Sequence, residues 1–220
     1  MSSYAEERQQ VLDAARRIAD AGLVSGASGN VSRRISTPEG DLIAVTASRV
    51  PYQRMTLDDV LVVDFNVDPV VGDGIPSSES LAHVAAYRTR PDVGAVIHTH
   101  SVYASAFAVA GKPIPPVLDE QVVLLGGPVE VADYGPSSSQ DLADNAVAAL
   151  GLRAAVLLRH HGVLGVGRDL DEAVDVVSLV ERVARVRLLS TLLGPPAQLA
   201  PPVVEAESKV YRMMRGIREA

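Results

Sequence analysis

The chain carries 27 acidic residues against 20 basic ones over 220 positions, a formal charge of −7, and 47% of it is hydrophobic. It is long and apolar enough to bury one sizeable core, and its acidic balance excludes the clustered basic surface that nucleic acids require, so a small molecule is the expected partner. No apolar run reaches the ~18 residues that cross a bilayer, MSSYAEERQQ is charged where a secretory signal is apolar, and the absence of cysteine excludes disulfides and thiolate metal sites; a cytoplasmic protein whose metal, if any, sits on His, Asp or Glu is expected.

Val11, Leu12, Ala15, Ile18 and Ala19 recur at helical spacing ahead of Gly22, predicting a first helix. NVSRRIS and DLIAVT, separated by TPEG, predict a hairpin, and LVVDF (61–65) a short buried strand before the Gly/Pro loop NVDPVVGDGIP. A helix is expected from about Ser77 to Pro91, with Leu81, Val84 and Ala85 on its apolar face. GAVIHTH (94–100) follows as a strand and SVYASAFAVAG as a small-residue helix ending at Gly111. LDEQVVLL fits helix or strand equally; beyond it come a strand near VEVADY and a helix from about Ser138 to Leu150. AAVLLRHHGVLGVG (154–167) predicts strand and turn, and the last long helix runs from about Asp169 to Leu193, with Asp171 and Glu172 in its first turn. Residues 1–194 are expected as one domain and 195–220 as a Pro-rich linker and tail, with a weak helix near SKVYRMMRGI. The interleaved helices and strands predict a sheet layered with helices.

Side chains two apart on a strand share a face, so His98 and His100 present two imidazoles side by side. That is half a metal site, or else an ordinary pair of hydrogen-bonded histidines. Glu79, at a helix start, and His160–His161, at the end of a buried run, are the other candidates; taken alone they are a carboxylate favoured by the helix dipole and a turn. Three neutral imidazoles and one carboxylate suit a divalent ion such as Zn²⁺ and leave a position open to substrate oxygens.

The segments SGNVS (28–32), PSSE (76–79), VIHTH (96–100) and HHG (160–162), in this order and spacing, resemble the class II aldolase/adducin family from the first helix to the last long one. The resemblance implies an α/β fold, a three-layer α/β/α sandwich with a mostly antiparallel central sheet, assembled as a homotetramer with active sites at subunit interfaces. It implies that His98, His100 and His161 bind a catalytic Zn²⁺, or another divalent ion such as Mn²⁺ or Co²⁺, with Glu79 as fourth ligand or catalytic base and His160 behind the site. Asn30, Ser77 and Ser78, together with Ser48 and Arg49, map to the pocket for the substrate phosphate. The implied activity is a metal-dependent lyase that cleaves or forms a small ketose 1-phosphate such as L-fuculose 1-phosphate, through an enediolate of dihydroxyacetone phosphate.

Three departures stand against the aldolase pattern. TASR (46–49) places Arg49 where the pattern has a phosphate-contacting glycine; a guanidinium there grips phosphate or carboxylate instead. The tyrosine that protonates the leaving oxygen aligns near Asp119–Glu120, where no tyrosine stands. The aromatic residue expected after the PY segment is absent from DYGPSSS. These keep a second enzyme open, a decarboxylase or dehydratase of a sugar acid or sugar phosphate with Glu120 or Asp119 as acid/base, and a third reading, a non-catalytic adducin-like scaffold. Tyr211, in the tail, is expected either as a lid residue over a neighbouring subunit's site or as packing.

Overall fold

Eight strands form one sheet in the order β4-β3-β2-β1-β5-β8-β7-β6. The structure is a computed structural model and describes residues 4–217. The strands are β1 (Asn30–Ile35), β2 (Leu42–Thr46), β3 (Val60–Val63), β4 (Pro69–Val71), β5 (Ala95–Thr99), β6 (Glu130–Ala132), β7 (Ala155–Leu158) and β8 (Gly162–Gly167). Every pairing is antiparallel except the parallel β6–β7 pair, so the sheet is mixed although mostly antiparallel. β4 falls within the stretch expected as loop: its Pro and Gly neighbours argue against a strand, and it survives only as a three-residue edge.

Helices cover both faces. α2 (Ser80–Thr89) and α5 (Gln140–Leu150) bury Val84, Tyr87, Leu142 and Leu150 against Ile43, Val63, Val96 and Leu164 on one side. On the other, α1 (Ala5–Asp20) and α6 (Leu170–Ser190) pack Val11, Ile18, Val174 and Val177 over Val31, Val62 and Ile97. α3 (Val102–Ala110) and α4 (Asp119–Leu125) extend that second layer, and α7 (Pro201–Met214) lies on α4. The ambiguous LDEQVVLL is thus a helix, α4, with two acids in its first turn and Gly126 stopping it in the left-handed conformation. α5 and α6 begin where Ser139 and Asp169 cap them, accepting from the backbone N–H groups of Leu142 and Glu172. Among the described residues no helix is long and apolar enough to cross a membrane.

The tail differs from the expected weak helix. α7 starts at Pro201, where a proline suits the first helical turn, and Tyr211 is buried among Leu125, Ala154 and Val180. The Tyr211 hydroxyl donates to the Leu152 carbonyl at 3.0 Å. Leu152 precedes β7 at the end of the sheet marked by Ala155, Gly165 and Gly167, whereas the histidines sit at the end marked by Thr99 and Gly162.

Candidate metal centre

Strand register brings the site together. In β5, His98 is opposite Asn30 of β1 and Leu164 of β8, so the end of β5, the loop before β1 and the turn into β8 meet. His100 lies one residue beyond the strand, and its ring centroid is 4.7 Å from that of His98. The turn between β7 and β8 is closed by the His161 N–H on the Leu158 carbonyl at 2.9 Å, with His160 in the left-handed region at φ 58°. That strained residue turns the chain so that His161 faces His98 and His100, with centroids 4.7 and 4.9 Å away. His160 points elsewhere, its ring edge-on to Tyr134.

Two glycines permit this approach. A Cβ on Gly162 would lie 2.2 Å from the Thr99 carbonyl oxygen and about as close to the His98 and His100 rings as a tight contact allows. At Gly29, φ is 78° and a Cβ would meet the His98 carbonyl oxygen at 2.6 Å. The glycines of HHG and SGN therefore admit backbone where any side chain would push the histidine strand aside.

Glu79 completes the set. It stands at the residue before α2, a position short of the helical first turn, with φ −104° and no capping bond from its side chain. Its carboxylate is turned inward instead. Oε1 accepts from Ser137 Oγ at 2.8 Å and lies 3.0 Å from His161 Nε2; Oε2 accepts from Asn30 Nδ2 at 3.2 Å and lies 3.1 Å from His98 Nε2. Burial works against ionisation of Glu79, but the His161 and His98 rings on its two oxygens, when protonated, outweigh burial and hold it well below the usual carboxylate range. Burial, and after it the neighbouring His98 and His161, lowers His100 to about 4, keeping it in the neutral form that ligates metal.

The donor set fits a divalent cation. One ligand atom from each of Glu79, His98, His100 and His161 lies within 4.8 Å of the others. With Nδ1–H of His98 donating to the Val163 carbonyl at 2.8 Å, its Nε2 lone pair is aimed at the site, a second-layer bond typical of metal-bound histidine. That lone pair faces His100 Nε2 at 2.8 Å and Glu79 Oε2. Acceptors aimed at one another repel unless a proton or cation stands between them, and one divalent ion satisfies all four.

These ligands open on a cavity of about 320 Å³ lined by Ser28, Gly29, Asn30, Ser48, Arg49, Ser77, Ser78 and Ser137 beside Glu79, His100 and His161. All five expected substrate-pocket residues, Asn30, Ser48, Arg49, Ser77 and Ser78, thus line this cavity, next to the start of α2 where the helix dipole favours an anion. Arg49 holds φ 63° and, among the described residues, its guanidinium has no bonded partner. Asp119 and Glu120 are exposed on the first turn of α4 and line no part of the cavity; Glu120 is paired with Arg182. Tyr211 is in the core, away from the cavity. Sequence reasoning missed Ser137, in a serine run that reads only as helix-capping, and His83, whose signal was its place one helical turn after Glu79.

The fold and the four-ligand cradle define an α/β/α sandwich able to hold a divalent metal beside a cavity lined by polar side chains. The family model for the Class II Aldolase and Adducin N-terminal domain matches residues 9–188. The L-fuculose phosphate aldolase of Escherichia coli O6:H1 is 31% identical over 188 residues, 86% of this chain and 85% of that one. The 5-deoxy-D-ribulose 1-phosphate aldolase of Bacillus thuringiensis serovar kurstaki is 30% identical over 207 residues, 94% and 95% of the two chains. A solved structure of an L-fuculose 1-phosphate aldolase matches with a TM-score of 0.88 at 31% identity, covering 96% of this chain and 98% of that one. The chain belongs to the class II aldolase and adducin family, and within it to the lyases.

Proposed function

We propose that the protein is a divalent-metal-dependent aldolase that forms or cleaves a small ketose 1-phosphate, exchanging it with dihydroxyacetone phosphate and an aldehyde. The observation that carries this reading is that the cradle of Glu79, His98, His100 and His161 opens on the same cavity as a hydroxyl, amide and guanidinium wall at a helix start. A scaffold has no use for either half.

Zinc suits the three imidazoles and one carboxylate, with Mn²⁺ or Co²⁺ as substitutes. Such an ion supplies Lewis-acid stabilisation of negative charge on substrate oxygens. The protein's own residues do the rest. Ser48, Arg49, Ser77 and Ser78 hold the phosphate, and Asn30, whose Oδ1 is buried with no partner among the described residues, accepts from a substrate hydroxyl. In the condensation direction Glu79 takes a proton from C3 of dihydroxyacetone phosphate. The enediolate carbon then attacks the aldehyde carbonyl, the C3–C4 bond forms, and the new C4 oxygen takes a proton; cleavage reverses these steps.

Asp119 is proposed as the carrier of that last proton, presented from its exposed place on α4 to a neighbouring subunit of a cytoplasmic homotetramer. Exposed apolar Val102, Val109, Leu192 and Leu193 support such an assembly. The test uses the donor alone. Zinc-loaded protein with dihydroxyacetone phosphate in D₂O should exchange one C3 proton stereospecifically by NMR, and Glu79→Gln should abolish it. No exchange from metal-replete protein overturns the aldolase reading and favours a decarboxylase or dehydratase.

A further inference from the structure

Behind the cradle, α2 and β1 meet through a line of polar side chains of which the aldol chemistry uses only Glu79 and Asn30. Glu79, His83 and Tyr87 lie four residues apart and so share one face of the helix, while Asn30, Ser32 and Arg34 alternate onto one face of the strand. The two stripes mesh in order. Asn30 donates to Glu79 at 3.2 Å; Ser32 Oγ lies 2.7 Å from His83 Nδ1 and 2.8 Å from the Tyr87 hydroxyl; Arg34 donates to the Tyr87 carbonyl, with its guanidinium 5.2 Å from that ring's centroid. His83 is 1% exposed, Ser32 0% and Tyr87 2%, and Val84, Val96 and Ile43 surround them with apolar core.

A polar line through such a core costs desolvation that its hydrogen bonds only partly return. His83 Nε2 has no bonded partner among the described residues, so stability alone does not explain the imidazole; a leucine would fill the space without an orphaned nitrogen. What the line does is connect. It ties the helix that carries Glu79 to the strand that carries Asn30 and pairs with His98.

We propose that His83 is a positioning residue for the metal cradle: by holding Ser32 it fixes α2 against β1, and so sets the Glu79 carboxylate between His98 and His161. Burial, and after it the nearby His98, lowers the His83 pKa to about 3, so the ring stays neutral and its bond to Ser32 is the same throughout the physiological range. The role rests on the metal reading above.

The test compares His83→Leu, His83→Asn and His83→Gln in the full chain. Zinc affinity is read by competition with a chromophoric chelator, kcat and KM by C3 proton exchange of dihydroxyacetone phosphate, and folding by thermal unfolding of the metal-free protein. His83→Leu should weaken zinc binding about 10–100-fold and lower kcat while leaving KM, which the phosphate wall sets. Asparagine puts an amide where Nδ1 stood and should recover most of both losses; glutamine reaches past that point and should recover less. If His83→Leu fails to fold, Ser32→Ala and Tyr87→Phe cut the same line with little volume change and should weaken zinc in the same direction. Unchanged zinc affinity and kcat in the folded variants, or equal losses for leucine and asparagine, would overturn the proposal. Wild-type protein that takes up no zinc would overturn the metal reading itself, and this role with it.

Discussion

Gly162→Ala is the sharpest test of how the cradle is held. The new Cβ would stand 2.2 Å from the Thr99 carbonyl oxygen, 3.1 Å from His100 Cδ2 and 3.2 Å from His98 Cε1. A carbon–oxygen contact needs about 3.3 Å or more, so β8 and β5 must part by about 1 Å at their metal end. Neither side can yield cheaply, because the obstacle is backbone and the next residue's carbonyl, Val163, holds the His98 ring at 2.8 Å. Overpacking of this kind costs about 1–3 kcal/mol, which for a chain of this length lowers Tm by about 2–12 °C. The larger effect falls on the site: a displacement of about 1 Å among reacting groups costs on the order of 100-fold in rate, and zinc affinity should fall with it. Gly165→Ala is the control, since its Cβ would strike Val177 Cγ1 at 2.6 Å, a side chain in the α6 interface. It should lower Tm by a similar amount and leave zinc affinity intact. Chelator competition and thermal unfolding of both variants decide the matter. Normal zinc affinity in Gly162→Ala would refute the claim that this glycine sets the ligand geometry.

Arg49→Gly removes a guanidinium from the cavity wall and relieves a left-handed backbone that costs about 1 kcal/mol or more for a non-glycine residue; it should raise Tm by a few degrees yet raise KM for dihydroxyacetone phosphate about 10–100-fold, the value of a charge-assisted bond. Removing the divalent ion with a chelator should lower Tm, and zinc at about 1,000 times its Kd should restore about 4 kcal/mol, seen in paired unfolding scans. Tyr211→Phe should cost about 1 kcal/mol by orphaning the Leu152 carbonyl and leave turnover unchanged, because the ring sits at the far end of the sheet; a tenfold loss of kcat would revive the lid. Burial would raise Asp92, but the guanidiniums of Arg90 and Arg215 outweigh it and hold it below the usual range. Its contribution is therefore complete above the unfolded carboxylate pKa of ~3.9 and is lost as pH falls through the lower folded value. Arg215→Ala should be less stable at pH 7 and lose stability less steeply below pH ~4, followed by denaturant unfolding across pH.

The cradle was legible because it is built from short-range rules. Alternation on a strand put His98 and His100 on one face, residue type marked Glu79 and the pair His160–His161 as further candidates, and the family resemblance singled out Glu79 and His161. The order of elements was legible for the same reason, from helical spacing in α1, the acids in the first turn of α6, and the turn between β1 and β2. What escaped depends on distant partners. Ser137 reaches Glu79 across 58 residues of sequence, and nothing in PSSSQ separates a serine that bonds a ligand from Ser139, which caps a helix. Tyr211 shows the converse: an aromatic on an amphipathic tail helix gives one pattern for a lid and for a core residue, and nothing in that pattern foretells its burial against Leu125 and Val180.

The two ends of the sheet divide the work between them. At the far end, Arg90 bonds Asp92 and the carbonyls of Gly151 and Arg153, and Arg215 of the tail bonds Asp92 and Glu172. These are long side chains turned onto backbone and carboxylate partners, an arrangement that ties the loops together. At the metal end, among the described residues, Asn30 Oδ1 has no partner and Arg49 bonds no side chain, and His98 Nε2 lies 2.8 Å from His100 Nε2. An unmet polar group costs stability, and Asn30 Oδ1 stands where a cation and a phosphorylated substrate would meet it. The far end, α7 included, lines no part of the metal cavity, so sequence changes there should move Tm long before they move turnover.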